Sequence, residues 1–387
     1  MKHIELEEIW TAAIDSVNGQ RAVQTHLLEQ NGRNNYGYLI AIGKAASAMS
    51  LGALEVLGNQ IKRSLVITKY DHVEASLTNA MNIQIIEAGH PIADERSLLA
   101  GQAVLDFIST IPRDEGILFL ISGGASSLVE VLPTDISLNQ WQQLNQNLIS
   151  SGKNIAEINN IRKSISMIKG GKLVAKLNGR SASALYISDV PGDELNLIGS
   201  GLLTPEQQNS ANFSTEVKTV LHSIIANNFK ACQSAAEHAT KNDYPVYWHQ
   251  TILEGDINNI APKLAQALIN GKTGIYIWGG ETTVTLPDKP GKGGRNQALA
   301  LLLARNISGQ DNIEVLVAGT DGTDGPTDAA GGIINGHTIS KGSALMMDAT
   351  KHIQEANAYA YLQATKSLFK TGPTGTNVMD IIIAIKR

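Results

Sequence analysis

The sequence predicts an α/β protein of two domains, each a mainly parallel sheet with helices on both faces. Three observations support this prediction. The chain has 387 residues, more than one typical domain requires. Short, wholly apolar runs are separated by helical patterns, as in parallel sheets that are covered on both faces. A polar stretch after Pro205 interrupts the alternation, and we place the boundary there, between domains of residues 1–210 and 211–387.

In the first domain, an amphipathic pattern predicts an opening helix over residues 4–28. Apolar runs predict strands at 36–42, 64–68, 83–88, 116–122 and 183–188. A helix from Glu95 to about Thr110 follows the third strand, and Asp94 is in position to cap it. A long helical region after the fourth strand is interrupted near Ser151 and Gly152.

In the second domain the alternation continues, with no sequence repeat of fixed period. Helices are predicted at roughly 218–240, 256–270, 297–305 and 354–366. Strands are predicted at 244–249, 275–278, 282–286, 313–319 and 381–385. The expected result is a second sheet of the same kind.

Composition excludes several classes of function. The net charge is −5 with both signs mixed along the chain, so we expect neither nucleic acid nor an anionic membrane as a partner. Cys232 is the only cysteine and is predicted to be a small buried residue; a chain without an internal disulfide favours a reducing compartment, the cytoplasm. The N-terminus lacks the apolar segment of a signal peptide, and no apolar run reaches the ~18 residues of a membrane span.

Glycine-rich segments with polar side chains follow several predicted strands, where ligands of open α/β sheets bind. They are residues 43–47, 122–127, 188–193, 291–297 and 318–328. Known nucleotide signatures do not match them. Gln266 stands where a Walker A motif needs its first glycine, and Asn296 stands where a dinucleotide fingerprint from Gly291 needs its last. Any phosphate site in this chain must therefore be built differently.

The segment Ser122–Ser127 is the first candidate for such a site. Gly123 and Gly124 allow backbone amides to converge on an anion at a helix N-terminus, and Ser126 and Ser127 add hydroxyl donors. The alternative is a plain strand-to-helix turn in which Ser126 is the N-cap. Local sequence does not decide between the two.

Two cations stand at predicted helix N-termini, where the helix dipole favours negative charge. Lys44 follows the first strand, and Arg295 follows Gly293 and Gly294 and precedes Asn296. Each cation suggests a bound anion, and the glycines suggest close approach of a group to the backbone. The alternatives are a solvated lysine and a structural salt bridge of the arginine.

Carboxylates follow two other strands. Asp189 and Asp193 end the fifth strand of the first domain, and Asp321 stands in the AGTDGTDGPTD segment of the second. Such groups either hold Mg²⁺ together with water and phosphates, act as a base toward a hydroxyl, or only shape turns. His90 has no second histidine at a ligand spacing, so we expect no histidine-based metal site.

Together these segments resemble the class II glycerate 2-kinase family, whose C-terminal part is called the MOFRL domain. The resemblance covers nearly the whole chain. It is carried by IGKAASAM (42–49), EAGHPIAD (87–94), LISGGASSL (120–128), IAEINNIRKSISMIKGGKL (155–173), ISDVPGD (187–193), GKGGRNQALAL (291–301), AGTDGTDGPTDAAGG (318–332) and TGPTGTNVMDI (371–381).

The resemblance implies transfer of a phosphoryl group from ATP, with Mg²⁺, to the 2-hydroxyl of D-glycerate, and an active site in the cleft between two α/β domains. Family residues that are implicated in activity match Lys44 and Arg295, and from its carboxylate chemistry we add Asp189 as a catalytic residue. In this reading we predict contacts to ATP for Ser122, Gly123, Gly124, Ser126, Ser127, Gly293, Gly294 and Asn296, and metal contacts for Asp189, Asp193 and Asp321. A homodimer is among the assemblies expected. Replacing Arg295 with alanine is expected to abolish activity and to leave the fold intact.

Two other functions are alternatives to the kinase. The family also carries the name hydroxypyruvate reductase, an NAD(P)H-dependent activity that the missing dinucleotide fingerprint does not support. A catalytically silent sensor of a sugar acid is the second, and the retained Lys44 and Arg295 argue against it.

Overall fold

The computed structural model describes residues 5–30, 35–78, 82–150, 155–204 and 220–387. The chain divides into two compact units. The N-terminal unit is Asn18–Ala226, and the C-terminal unit is Asn227–Arg387 together with Met1–Val17. The units therefore divide at 226/227, whereas the predicted boundary at 210/211 lies outside the described residues.

The predicted opening helix is two helices, α1 (Leu6–Val17) and α2 (Gly19–Glu29). Asn18 separates them, because its side chain accepts hydrogen bonds from the backbone amides of Gln20 and Arg21 and so caps α2. Helix α1 belongs to the C-terminal unit, where Trp10 packs edge-on against Phe369 at 5.0 Å between ring centroids. Amphipathic periodicity alone does not reveal this break.

The N-terminal unit is built on a parallel sheet, as predicted. Its strands are β1 (Tyr36–Ile42), β2 (Arg63–Lys69), β3 (Ile83–Ala88), β4 (Gly116–Ile121), β5 (Ala182–Ile187) and β6 (Leu221–Ala226). They lie in the order β3-β2-β1-β4-β5-β6, and the pairs are parallel throughout. Strand β6 corrects the sequence prediction, which placed residues 221–226 at the start of a helix.

Helices cover this sheet. They are α3 (Ala46–Leu57), α4 (Glu95–Thr110), α5 (Ala125–Leu128), α6 (Leu138–Ser150), α7 (Ile155–Ile165) and α8 (Lys172–Lys176). The predicted cap of α4 is confirmed, since Asp94 and Ser97 form a reciprocal capping box. Central strand residues such as Ile40, Leu65 and Phe119 are fully buried, which explains why these strands read as continuous apolar runs.

The C-terminal unit contains a second sheet of which the order is β11-β10-β9-β12-β8-β7. In chain order its elements are α9 (Asn228–Lys241), β7 (Val246–Asp256), α10 (Ile257–Asn270), β8 (Gly274–Thr283), α11 (Arg295–Asn306), β9 (Ile313–Gly319), β10 (Gly331–Asn335), α12 (Thr338–Ala344), α13 (Ala349–Gln354), α14 (Ala358–Ala364), β11 (Leu368–Phe369) and β12 (Asp380–Lys386). The α/β class is thus confirmed for both units.

The prediction that this second sheet is mainly parallel is wrong. Only β7 and β8 pair in parallel among its described strands; β8–β12, β12–β9, β9–β10 and β10–β11 are antiparallel. Helices pack on the sheet, so its central strands are buried on both faces and carry the same apolar pattern as parallel strands. The apolar pattern therefore reports burial on both faces and not strand direction, and this is why the prediction was wrong.

The strand predicted at 275–278 and the first two residues of the strand predicted at 282–286 belong to one strand, β8, which ends at Thr283; residues 284–286 lie outside it. Gly280, which resembles a break in the sequence, pairs with Leu253 of β7 and Asp380 of β12. A Cβ atom at Gly280 would lie 2.2 Å from the Leu253 carbonyl oxygen, so the glycine permits close strand approach.

Two expectations from composition can be compared with the fold. Cys232 is buried in α9, as predicted, and burial raises the pKa of its thiol to about 12. The thiol is therefore protonated near neutral pH and is not a nucleophile. Within the described ranges, no helix combines the length and apolarity that crossing a membrane requires.

Candidate functional site

The centre of the N-terminal sheet is a topological switch point. Strands β1 and β4 are neighbours, and the chain continues from them toward opposite edges of the sheet. Ligands of such sheets bind where the loops after these two strands diverge. Lys44 follows β1 and Ser122 follows β4, so the sequence candidates of this unit lie where the fold favours a ligand.

Hydrogen bonds join the two loops. The backbone amide of Lys44 donates to the Gly123 carbonyl at 2.9 Å, and the amide of Ala45 donates to Ser122 Oγ at 3.0 Å. Gly43 has φ 136°, and a Cβ atom there would lie 2.1 Å from Ser122 Oγ. Only glycine fits this junction, which places the start of α3 directly beside the glycine-rich loop.

Gly124 brings a third group into the loop. Its φ is 85°, and a Cβ atom there would lie 2.9 Å from His90 Cδ2 and 3.2 Å from Lys44 Cγ. His90, Gly124 and the Lys44 stem therefore pack together. Gly124 itself is the N-cap of α5, which rules out the alternative that gave this position to Ser126. The hydroxyl of Ser126 instead contacts that of Ser200, and Ser127 Oγ donates to the Gly124 carbonyl at 3.2 Å.

A cavity of about 480 Å³ lies beside this loop, entirely within the N-terminal unit. Its lining includes His90, Gly124, Ser126 and Ser127. A second group in the lining consists of residues to which the sequence reasoning assigns no role: Trp141, Gln142, Asn145, Gln146, Arg162 and Lys169. The two cations of this second group stand seven positions apart in the IRKSISMIK segment, for which the family resemblance implies no function.

A buried ion pair borders the cavity. Lys169 Nζ lies 2.5 Å from Glu130 Oε2, and both side chains are inaccessible to solvent. Ser166 Oγ donates to Glu130 Oε1 at 2.5 Å, and the amide of Val131 donates to the same oxygen at 3.0 Å. Burial lowers the pKa of Lys169, while the charge of Glu130 acts in the opposite direction. Both charges are held in fixed positions by these contacts.

The carboxylates predicted as metal ligands lie on two different units. Asp189 and Asp193 are half-buried on the loop after β5, and Asp193 has φ 56° at the end of a short 3-10 turn. Asp321 is in the C-terminal unit, where its Oδ1 accepts hydrogen bonds from the Thr323 amide and hydroxyl. Among the described residues, no three His, Cys, Asp or Glu side chains gather closely enough to hold a metal on their own. The metal ligands remain a prediction.

Arg295 is the first residue of α11 and makes the structural salt bridges considered as its alternative role. Its Nε and Nη2 donate to Asp380 Oδ2 and Oδ1 at 2.7 and 3.1 Å, and Nη1 lies 2.6 Å from Glu281 Oε1. Burial alone would lower the pKa of Arg295, but its bonds to Asp380 and the charge of Glu281 raise it overall. The guanidinium fork is therefore filled by residues of the chain, and a contact to substrate stays a prediction.

A carboxylate from a distant loop caps α11. Asp324 accepts from the backbone amides of Asn296 and Gln297 at 3.1 and 2.8 Å. A Cβ atom at Gly294 would lie 2.3 Å from this carboxyl group. The close approach that the glycines indicated is thus made by Asp324, a carboxyl group within the chain. The ATP contacts predicted for Gly293, Gly294 and Asn296 stay untested, and the backbone amide of Asn296 already bonds to Asp324.

The buried position of Asp324 predicts a measurable dependence of stability on pH. Burial raises its pKa from 3.8 to about 7, against the opposing effect of the two amide bonds. Between these values the folded chain keeps a proton that the unfolded chain has released. Its contribution to the free energy of unfolding should therefore fall as pH rises from about 4 to 7, and level off beyond. Urea unfolding of the wild type and of Asp324→Asn across this range should show their difference changing in that direction; a constant difference would contradict it.

Comparisons with known proteins support the resemblance in the motifs. Residues 5–228 match a family described as a domain of unknown function, DUF4147, and residues 274–380 match the MOFRL family. The D-glycerate 2-kinase of Thermotoga maritima is 35% identical over 409 residues, covering 98% of this chain and 97% of that protein. The glycerate 2-kinase of Pyrococcus horikoshii is also 35% identical, over 90% of this chain and 87% of that protein.

A solved structure extends the comparison to three dimensions. The crystal structure of the glycerate kinase of Thermotoga maritima superposes with a TM-score of 0.87 at 34% identity, and 98% of each chain is covered. Both sequence and fold therefore agree over almost the entire length. The chain belongs to the glycerate 2-kinase family, in which a DUF4147 domain is followed by a MOFRL domain.

Proposed function

We propose that this protein is an ATP-dependent glycerate 2-kinase that phosphorylates the 2-hydroxyl of D-glycerate. The observation that carries the proposal is the near full-length relation to D-glycerate 2-kinases, at 35% identity over 98% of the chain. The geometry of the N-terminal unit supports it, because Lys44 and a glycine-rich loop meet at the switch point of the sheet. Phosphoryl transfer needs mainly positioning and charge stabilisation, which such groups supply.

Within this reaction, Lys44 stabilises negative charge on the transferring phosphoryl group. Its stem lies against Gly124, so its ammonium group is tethered beside the loop that we assign to the phosphates. Ser126 and Ser127 line the cavity. The Ser126 hydroxyl, which contacts that of Ser200, is the candidate donor to phosphate or substrate oxygens, whereas Ser127 Oγ donates its proton to the Gly124 carbonyl and offers an acceptor. Asp189, at the end of β5, accepts the proton of the 2-hydroxyl or contacts the metal.

The residues after β5 fit a magnesium ion. Mg²⁺ is usually held by one or two carboxylates together with substrate phosphates and water, and Asp189 and Asp193 supply such carboxylates. When bound, the ion neutralises charge on the phosphates of ATP. The assignment of Asp321 as a further ligand, a cytoplasmic location and a homodimer are proposed on the sequence reasoning alone.

The function is tested by incubating the purified protein with ATP, Mg²⁺ and D-glycerate and recording a proton-coupled phosphorus NMR spectrum of the product. A phosphate on the secondary 2-hydroxyl couples to one proton and gives a doublet, whereas a phosphate on the primary 3-hydroxyl gives a triplet. We expect the doublet. A triplet would change the position of transfer, and absence of any glycerate phosphate would refute the kinase.

The same preparation separates the two other functions. A hydroxypyruvate reductase would oxidise NAD(P)H with hydroxypyruvate, and we expect no such oxidation. A silent sensor would be thermally stabilised by D-glycerate without consuming ATP. We favour neither, because the relatives from Thermotoga maritima and Pyrococcus horikoshii, both 35% identical to this chain, are named as kinases.

A further inference from the structure

The cavity of the N-terminal unit contains a cation to which no role has been assigned. Arg162, on α7, is half-buried and lines the cavity. Its Nε donates to Asn145 Oδ1 at 2.5 Å. Among the residues that the structure describes, none makes a hydrogen bond or an ion pair with its two terminal amino groups. A half-buried guanidinium without a paired carboxylate is costly unless an anion joins it.

The charges around the cavity define what that anion can be. Lys169 also lines the cavity, but Glu130 neutralises it at 2.5 Å. Arg162 is therefore left as the uncompensated charge of the described lining. Burial lowers the pKa of Arg162, and the charge of Glu130, which is already paired with Lys169, opposes that effect only in part. One net positive charge suits a single carboxylate better than a triphosphate, which carries several negative charges.

The shape of the cation points to the same ligand. A guanidinium presents parallel N–H groups that match the two oxygens of a carboxylate. Asn145 holds this fork in place, because its own amide nitrogen donates to the Trp141 carbonyl at 2.8 Å. The remaining polar lining includes the hydroxyls of Ser126 and Ser127, which suit the hydroxyl groups of a small sugar acid.

Arg295 is the arginine for which the sequence suggests a bound anion. Its fork is already filled by Asp380, and its third nitrogen by Glu281. An arginine so engaged would have to break two ion pairs to bind a substrate. Arg162 would break none.

We propose that Arg162 binds the carboxylate of the 2-hydroxy acid substrate, and that Asn145 is the positioning residue for its guanidinium. The inference rests on the proposed function for the identity of the acid. The cavity, at about 480 Å³, lies within the usual size range of small-molecule sites and exceeds what glycerate needs. The additional space adjoins Gly124 and the serines of the glycine-rich loop, where the transferring phosphate is expected.

The test compares Arg162→Gln with the wild type by isothermal titration of D-glycerate in the absence of ATP, and separately of ATP. Loss of a charge-assisted pair predicts that the Kd for D-glycerate rises roughly 10- to 150-fold, with the Kd for ATP unchanged. Arg113→Gln is the matched control, since Arg113 is an exposed arginine of the same unit outside the cavity. Glycerol, which lacks the carboxylate, should bind both proteins equally weakly.

Further variants keep the proposal testable if Arg162→Gln does not fold. Arg162→Lys keeps the charge but not the fork and should recover only part of the affinity; Asn145→Ala should weaken D-glycerate binding while Arg162 is retained. An unchanged Kd for D-glycerate in these variants, or equal weakening of D-glycerate and ATP, would overturn the proposal.

The two proposals fail in distinguishable ways. If the wild type binds D-glycerate through Arg162 but transfers no phosphate, the kinase is refuted and the carboxylate site stands. If the wild type is a kinase and folded Arg162→Gln has the same KM for D-glycerate, the carboxylate site is refuted and the kinase stands.

Discussion

Replacing Lys44 with methionine is expected to lower kcat for glycerate phosphorylation by roughly 10²- to 10³-fold, the usual effect of removing one preorganised group that stabilises transition-state charge. Methionine keeps the unbranched stem that packs against Gly124, so the local structure should persist. The amide of Lys44 that bonds the Gly123 carbonyl is also unchanged. Steady-state kinetics with D-glycerate and ATP would measure the loss.

The control for this change is Lys176→Met, which removes an exposed lysine of α8 in the same unit. It should retain wild-type kinetics. Circular dichroism should show the same thermal midpoint for Lys44→Met as for the wild type. If the Lys44→Met protein had wild-type kcat/KM, the proposed role of Lys44 in stabilising the phosphoryl group would be refuted.

Replacing Arg295 with alanine is expected to lower the free energy of unfolding by about 3 kcal/mol, in addition to reducing activity. The change would leave Asp380, a buried carboxylate, without its counterion; Arg295 and Asn296 both donate hydrogen bonds to it in the folded protein. We take the lower end of the range for broken buried pairs, because the Arg295 side chain is 34% exposed. The contacts therefore revise the expectation from sequence that the fold would be unaffected. Denaturant unfolding would measure the loss.

A double variant separates stability from catalysis. Combining Arg295→Ala with Asp380→Asn removes both charges, so no carboxylate is buried without a counterion. Much of the free energy of unfolding that Arg295→Ala loses should therefore return. If activity stays low in this stabilised protein, Arg295 acts in the reaction; if activity returns with stability, its role is structural. Arg305→Ala, at the exposed far end of α11, is the control and should change neither quantity.

The comparison of residues 221–226 with the strand that they form shows where local pattern fails. The run Leu-His-Ser-Ile-Ile-Ala fits either a helix or a strand, and the sequence prediction includes it in a helix that begins in the structure only after Asn227. Strand β5, about forty residues earlier in the chain, offers a parallel partner to this run. The long-range pairing therefore decides its conformation.

The candidate site likewise contains some residues that local sequence identifies and others that it does not. Lys44 and Ser122–Ser127 could be identified because they directly follow apolar strands, and the parallel sheet brings them together as predicted. Arg162 lies on a helix with no neighbouring motif of known chemistry, so nothing local indicates its place in the cavity. The prediction of a close approach to Gly294 is correct, but the group that approaches is Asp324.

The resemblance of its motifs indicated the family, and periodicity and loop composition in the sequence alone determined the α/β class, the strands β1 to β5 and the glycine-rich loops at strand ends. These features are local, since burial and turn geometry select residue types at fixed spacing along the chain. Tertiary structure alone decided the antiparallel pairing of the second sheet, the salt bridge between Arg295 and Asp380, and the position of Arg162 beside the cavity. Each depends on which distant segments meet, and strand direction or a counterion leaves no periodic trace in the sequence.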